Sequence, residues 1–231
     1  MKLFYTVNSG VYLQGGGAAL LVDGIHRGEK VAFSPMPDRL KEMLRARTGP
    51  FAHLDGLLFT HGHPDHFDPE ELREMKLDLP VYGPEVEEAL SRTVLPGVTQ
   101  VFIGRASILA LDTVHAGADF AQVPHRSYLI HTGDGWTFVA GDACLGPDEA
   151  ARLRTLCGVP PKTVLVNPCQ LLDPLGPEFL RALGPERVFL YHLPLREEDR
   201  LGCYALADQA QVRYPDDLPP LRRLEPMSWL P

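Results

Sequence analysis

The sequence has little cysteine, and none of it is spaced as a pair. Cys144, Cys157, Cys169 and Cys203 are scattered with no C-x-x-C among them. That excludes a zinc ribbon, argues against a disulfide framework, and predicts buried free thiols in a reducing compartment. No apolar run approaches membrane-spanning length, and residues 1–8 lack the apolar stretch of a secretory leader. A cytoplasmic protein with no membrane partner is expected. Basic residues are also short: 22 Lys and Arg stand against 30 Asp and Glu, a net charge of −8. A duplex nucleic acid needs a basic face to displace its counterions, so the expected partner is a small molecule. Gly15-Gly16-Gly17 lacks the following lysine and the strand-to-helix context of a phosphate loop, and reads as a turn. The remaining composition, 45% hydrophobic with 21 Gly and 22 Pro over 231 residues, is that of an ordinary globular chain. One domain over 1–231 is expected.

What the chain does have is concentrated at residues 56–66. An apolar run, Gly56-Leu57-Leu58-Phe59, stops at Thr60, and His61-Gly62-His63-Pro64-Asp65-His66 follows. Imidazole suits zinc, iron, copper and nickel, and aspartate adds an anionic oxygen. In an extended segment His61 and His63 project to one side, and Pro64 keeps His63 extended. Gly62 allows close approach of the backbone. Asp65 and His66 then face the same space from the turn. A merely solvated loop is the competing reading, but four ligand-type side chains in this order favour a metal.

Short strands are predicted over 2–8, 11–14, 18–23 and 30–34. An amphipathic helix spans 37–48, stopped by Gly49-Pro50. After the motif, Asp68-Pro69-Glu70-Glu71 reads as a capped helix start, which explains these acids better than metal binding does. A strand near 80–82 leads into a small helix opened by Pro84 with Glu85, Glu87 and Glu88. Strands follow at 98–103 and 107–113, then a loop over 116–126. A hairpin pairs 127–131 with 136–140 across Gly133-Asp134-Gly135. Beyond it come a helix over 147–157, a strand over 162–166, a helix over 177–183, a strand over 187–191 and a helix over 203–213. One strand near 221–225 ends the pattern.

Three more ligand-type residues sit just past apolar strands: His115, Asp142 after Gly141, and His192. Each alone would more often be structural. Their shared position makes them ligand candidates, because strand ends converge on sites in sheet-and-helix folds. His125 competes with His115. His125 and Arg126 read equally as a grip on an anionic group and as surface residues leading into a strand. Arg196 is a further anion-binding candidate. His26, His53 and His131 have no ligand context.

With these residues in this order, the sequence resembles the metallo-β-lactamase superfamily: His-x-His-x-Asp-His, a downstream His, a Gly-Asp after a strand and a late His. Within it the chain is most similar to compact hydrolases related to ascorbate-phosphate lactonases. The short span from Asp142 to His192 leaves no room for the large inserted domain of the family's nucleases. The resemblance implies an α/β fold, an αββα four-layer sandwich of two mixed sheets flanked by helices. It implies that His61, His63 and His115 hold one metal and Asp65, His66 and His192 a second, with Asp142 bridging. Asp65 and Asp142 would serve catalysis. The cofactor implied is two divalent ions, zinc first, with manganese or iron as alternatives. The activity implied is hydrolysis of an ester, lactone, thioester or phosphodiester by metal-activated hydroxide, on a small-molecule substrate with anionic ones among the options. The alternatives are a di-iron redox protein of the same fold and a non-catalytic metal-binding or sensing protein.

Overall fold

The computed structural model describes residues 1–28 and 33–230. Its strands are short and mostly apolar on both faces, the pattern of sheets covered on both sides. One sheet contains β1 (Lys2–Tyr5), β2 (Val11–Gly15), β3 (Ala18–Val22), β4 (Gly56–Leu58), β5 (Val81–Gly83) and β6 (Val86–Glu87). The other contains β7 (Ser91–Leu95), β8 (Val98–Val101), β9 (Ile108–Thr113), β10 (His125–His131), β11 (Trp136–Val139), β12 (Thr163–Val166), β13 (Arg187–Leu190) and β14 (Leu221–Arg223). β15 (Ser228–Trp229) returns to pair with β1. The orders are β15-β1-β2-β3-β4-β5-β6 and β14-β13-β12-β11-β10-β9-β8-β7.

Both sheets are mixed. β1 to β3 and β7 to β11 are antiparallel meanders, whereas β3-β4-β5 and β11-β12-β13-β14 are parallel. Parallel neighbours need crossovers. In the first sheet these are α1 (Asp38–Ala46) and α2 (Pro69–Met75). In the second they are α3 (Pro147–Cys157), α4 (Pro168–Leu172), α5 (Leu175–Leu183) and α6 (Cys203–Arg213).

Strand alternation divides the core into three layers. Leu3, Tyr5, Leu20 and Val22 meet Ile108, Tyr128, Ile130 and Phe189 between the sheets. Phe4, Ala19 and Leu21 face the other way, against Leu40, Leu44 and Met75 of α1 and α2. Leu129, Phe138, Val164 and Val188 pack outward on Ala150, Leu153, Phe179 and Ala207 of α3, α5 and α6. The result is the expected αββα order. The Asp68 carboxylate accepts the Glu71 N–H at 2.7 Å and so caps α2, as the sequence suggests. Gly16 and Gly17 lie at positive φ in the β2–β3 turn.

Several expectations need correction. The helix expected after Pro84 is a strand: Val86 and Glu87 pair back onto Gly83 and Tyr82. Acids behind a proline suit a helix start, but the segment has no apolar face to bury as a helix, since of residues 85–90 only Ala89 is buried. β7, exposed throughout, follows it. β10 begins at His125, earlier than the hairpin signal implies, because His125 and Arg126 pair with Thr113 and Asp112. α4 adds a helix that its five residues made hard to see. The strand expected over 30–34 falls at 30–32 outside the described residues, and Phe33 and Ser34 are not in a strand. All four cysteines are free, but Cys144 and Cys169 are exposed, because one lies in a loop and the other in the first turn of α4.

Candidate metal centre

The site lies along one edge of the sandwich, where β3, β4, β9, β11, β12 and β13 all end. β4 delivers residues 60–66, β9 delivers His115, β11 delivers Asp142 and β13 delivers His192. Gly141 makes the turn before Asp142: it sits at φ +60°, and a Cβ there would lie 2.8 Å from His125 Nε2 and 2.9 Å from Thr60 Cβ. His192 adopts φ 66°, a conformation uncommon for a residue with a side chain.

All seven expected ligands come together. His61 Nε2 is 3.0 Å from His63 Nδ1 and 3.3 Å from His115 Nε2. His66 Nε2 is 2.9 Å from His192 Nε2 and 3.7 Å from Asp65 Oδ2, which is 3.4 Å from His192 Nε2. Asp142 stands between the two groups. Its Oδ2 is 3.3 Å from His66 Nε2, 3.9 Å from His61 Nε2 and 3.8 Å from His115 Nε2, while Oδ1 is 3.6 Å from His192 Nε2. His61, Asp65, His66, His115 and His192 are buried.

The protons explain why these nitrogens face inward. His66 Nδ1–H donates to Asp23 Oδ2 at 2.9 Å, and the Thr60 hydroxyl donates to the same oxygen at 2.7 Å. His61 Nδ1–H then donates to Thr60 Oγ1 at 3.0 Å, and His115 Nδ1–H to the Ala116 carbonyl at 2.6 Å. With the outer nitrogens protonated, the Nε2 lone pairs of His61 and His115 point at the centre, and His66 turns its Nε2 to the same space. Packed against each other, bare lone pairs repel; a cation among them removes the conflict. Ligand nitrogens about 2.0–2.1 Å from a tetrahedral ion lie roughly 3.3 Å apart, close to the spacings around His61. The donor set therefore fits divalent metal.

Electrostatics agree. Burial opposes a proton on His66, but Asp142, Asp65 and Asp23 outweigh it and hold the imidazole well above its ordinary value. Burial would raise the Asp142 carboxyl, yet His192 and His66 hold it well below the carboxylate range. Burial, reinforced by His66, pushes His61 well down. The centre is thus built to receive positive charge.

The structure does not bring the remaining candidates to the metals in the same way. His125 is buried beside the site, but both its nitrogens are engaged: Nε2 accepts the Asp142 N–H at 3.0 Å, and Nδ1 pairs with Thr113 Oγ1 at 2.7 Å. Burial lowers it to about 3, so it is neutral. Arg126 points to the opposite face of β10, as strand alternation requires. It pairs with Glu87 at 2.7 Å and Asp112 at 3.3 Å, over the Tyr82 ring. Arg196 stacks 4.0 Å over Tyr204 and reaches Glu225.

Solved structures give this architecture its name. The chain is similar to the fold protein YhfI from Bacillus subtilis, a metallo-β-lactamase fold, with a TM-score of 0.56 at 13% identity over 99% of this chain and 98% of that one. This is the metallo-β-lactamase fold. The isothiocyanate hydrolase from Delia radicum gut bacteria shares it at a TM-score of 0.64 and 16% identity, over 100% of this chain and 98% of that one. So does CmlA, a diiron β-hydroxylase from Streptomyces venezuelae, at 0.62 and 17%. That match covers 99% of this chain but 53% of CmlA, so the present chain spans about half of that enzyme's length. No protein-family model and no curated protein matches the sequence.

On this metallo-β-lactamase scaffold, the residues that sequence reasoning missed stand behind the ligands. Asp23 ends β3 and also accepts the Thr60 N–H at 2.7 Å. Asn167 ends β12; its amide donates to Asp142 Oδ1 at 2.9 Å, while Asn167 and Gln170 form a reciprocal capping box on α4. Gln170 in turn donates to the carbonyls of Gly141 and Ala143, on either side of Asp142. Both Asp23 and Asn167 follow an apolar strand, the same signal that marks Asp142.

Proposed function

We propose that the protein is a metal-dependent hydrolase whose centre takes two divalent ions and acts on an ester, lactone, thioester or phosphodiester bond. The observation that carries this reading is the Asp142 carboxylate, with one oxygen toward His61, His66 and His115 and the other toward His192. His61, His63 and His115 would hold one ion, Asp65, His66 and His192 the other, and Asp142 both. Zinc suits this nitrogen-rich set, and manganese or iron is compatible with it. When bound, such ions supply Lewis acidity and make water nucleophilic near neutral pH. The shared fold of the isothiocyanate hydrolase supports the reaction class.

The chain's own residues set the geometry. Asp23 fixes the tautomer and plane of His66, and the Ala116 carbonyl does the same for His115. His125 holds the Asp142 backbone N–H and Asn167 holds its Oδ1, so the carboxylate cannot swing away from either triad. Asp65 would accept a hydrogen bond from water at the centre and so orient it.

Elemental analysis of protein purified without added metal, followed by a panel of ester, lactone, thioester and phosphodiester substrates, tests the reading. Two ions per chain and turnover are expected. Full activity in Asp142→Ala would sink it. Similarity to the diiron β-hydroxylase supports a second reading, redox chemistry on iron. Iron with a visible absorption band and oxygen-dependent turnover would select it.

A further inference from the structure

Beside Asp142 lies a cavity of about 320 Å³ whose floor is His115, Asp142 and His192. Its volume is near the lower end of the roughly 300–1,000 Å³ typical of small-molecule sites, room for one short chain or one ring. The walls are apolar. Phe33 lies edge-on to His192 with ring centroids 5.2 Å apart, and Phe120 lies edge-on to His63 at 5.1 Å and 5.4 Å from His115. The two phenylalanines therefore flank the ligand histidines of opposite triads. Leu206 and Cys203 of α6 and Pro168 of α4 also line it, with Cys169, Ala116 and Gly117. Burial pushes the Cys203 thiol up to about 12, so it is uncharged.

Among the described residues, no lysine, arginine or glutamate lines this space. The Asn167 amide is already turned to Asp142. Arg126 and Arg196, the two anion-binding candidates of the sequence, are held by Glu87 and Asp112 and by Tyr204 and Glu225. A carboxylate or phosphate entering the cavity away from the metals would lose water and gain no counter-charge. Phe120, 48% exposed at the mouth, offers apolar surface instead.

We propose that the part of the substrate that does not react is an uncharged apolar group, a short acyl chain or an aryl ring, seated between Phe33 and Phe120 over Leu206. Anionic substituents in that part are selected against. The inference rests on the hydrolase reading for the bond that is broken, but not for the shape and chemistry of the pocket.

The test compares two esters, 4-nitrophenyl butyrate and 4-nitrophenyl succinate, in which a terminal carboxylate replaces a methyl group. Metal-loaded protein should prefer the butyrate by about tenfold or more in kcat/KM, because the carboxylate finds no partner. Leu206→Lys should shrink or invert that preference; a loosened fold would slow both esters without inverting their order. Equal use of the two esters, or a ratio unmoved by Leu206→Lys, overturns the proposal. A protein inert toward both esters counts against the hydrolase reading alone. The pocket is then judged by titration with the matching amides, butyranilide and succinanilic acid. Tighter binding of butyranilide upholds it, and equal or tighter binding of succinanilic acid overturns it.

Discussion

His61, His63 and His115 differ from Asp65, His66 and His192 in charge, in burial and in what holds them. The first group is all imidazole, its His63 is partly exposed, and its His115 is fastened by the carbonyl of the next residue. The loop at 117–120 covers it only through Phe120. The second group is buried throughout and contains a carboxylate. Its His66 is fastened by Asp23 from β3's end, 43 residues away in sequence. Its His192 is set by Leu193, whose N–H donates to the Tyr5 hydroxyl at 2.6 Å across 188 residues. Asp23 reaches the first half only through Thr60, which accepts from His61, whereas it holds His66 of the second half directly. Asp65 adds a carboxylate to the second half and Asp23 touches its His66 directly, so at limiting metal that half should fill first.

The largest effect should come from removing what the halves share. Asp142→Ala should lower both metal content and turnover by more than the roughly 100-fold upper end for outer-shell partners; metal analysis and initial rates read this, and loss confined to one ion would mean that Asp142 serves one half only. Asp23→Asn should act more on the second half than on the first. It keeps the shape and tolerates the φ of 50°, yet loses the charge facing His66. A loss of about 10–100-fold in affinity at the site of His66, and a smaller one at the site of His61, is expected in a chelator competition. Equal weakening of both ions would erase the asymmetry.

Glu71→Gln probes the scaffold of the second half. Glu71 lies on α2, directly after the His66 turn, and binds Arg27 at 3.1 Å, Lys41 at 2.9 Å and Arg45 at 3.3 Å. Burial would raise its carboxyl, but Lys41 and Arg27 hold it below the ordinary value. Its contribution is therefore complete above about 4.5, the ordinary glutamate value, and is lost as pH falls through the lowered folded value. With partly exposed partners, about 1–2 kcal/mol is expected. Denaturation of metal-free protein should show that difference at pH 7 and progressively less of it as pH falls through the folded value. The smallest effect belongs to Phe120→Ala. Stability should change by less than about 1 kcal/mol at so exposed a position, while exchange of the first ion, followed by stopped-flow chelation, should quicken and that of the second should not.

The convergence of these side chains was legible because an apolar strand followed by a ligand-type residue is a local pattern, and it recurs at His61, His115, Asp142 and His192. The fold class came from the family resemblance that those same residues carry. What stayed hidden depends on pairing. Nothing near His125 in sequence says that it accepts the Asp142 N–H; the β9–β10 register does. Arg126 shows the converse error, since a neighbour in sequence is turned to the far face of a strand. Asp23 and Asn167 carried the strand-end signal without a histidine beside them, so local reading gave them no role. The helix expected after Pro84 lost to pairing with β5, a tertiary outcome that acidic residues behind a proline cannot disclose.

The position of the centre across the two sheets has a mechanical consequence. Residues 61–66 hang from one sheet; His115, Asp142 and His192 hang from the other. An ion held by both His66 and His192 ties together points 126 residues apart. Because that site forms only in the folded chain, a bound ion would stabilise the fold by its binding free energy, as any ligand of the native state alone does. Metal would then be a rivet through the sandwich as well as a reagent. Any slip of one sheet against the other would be felt first as a mismatch between the jaws that grip it.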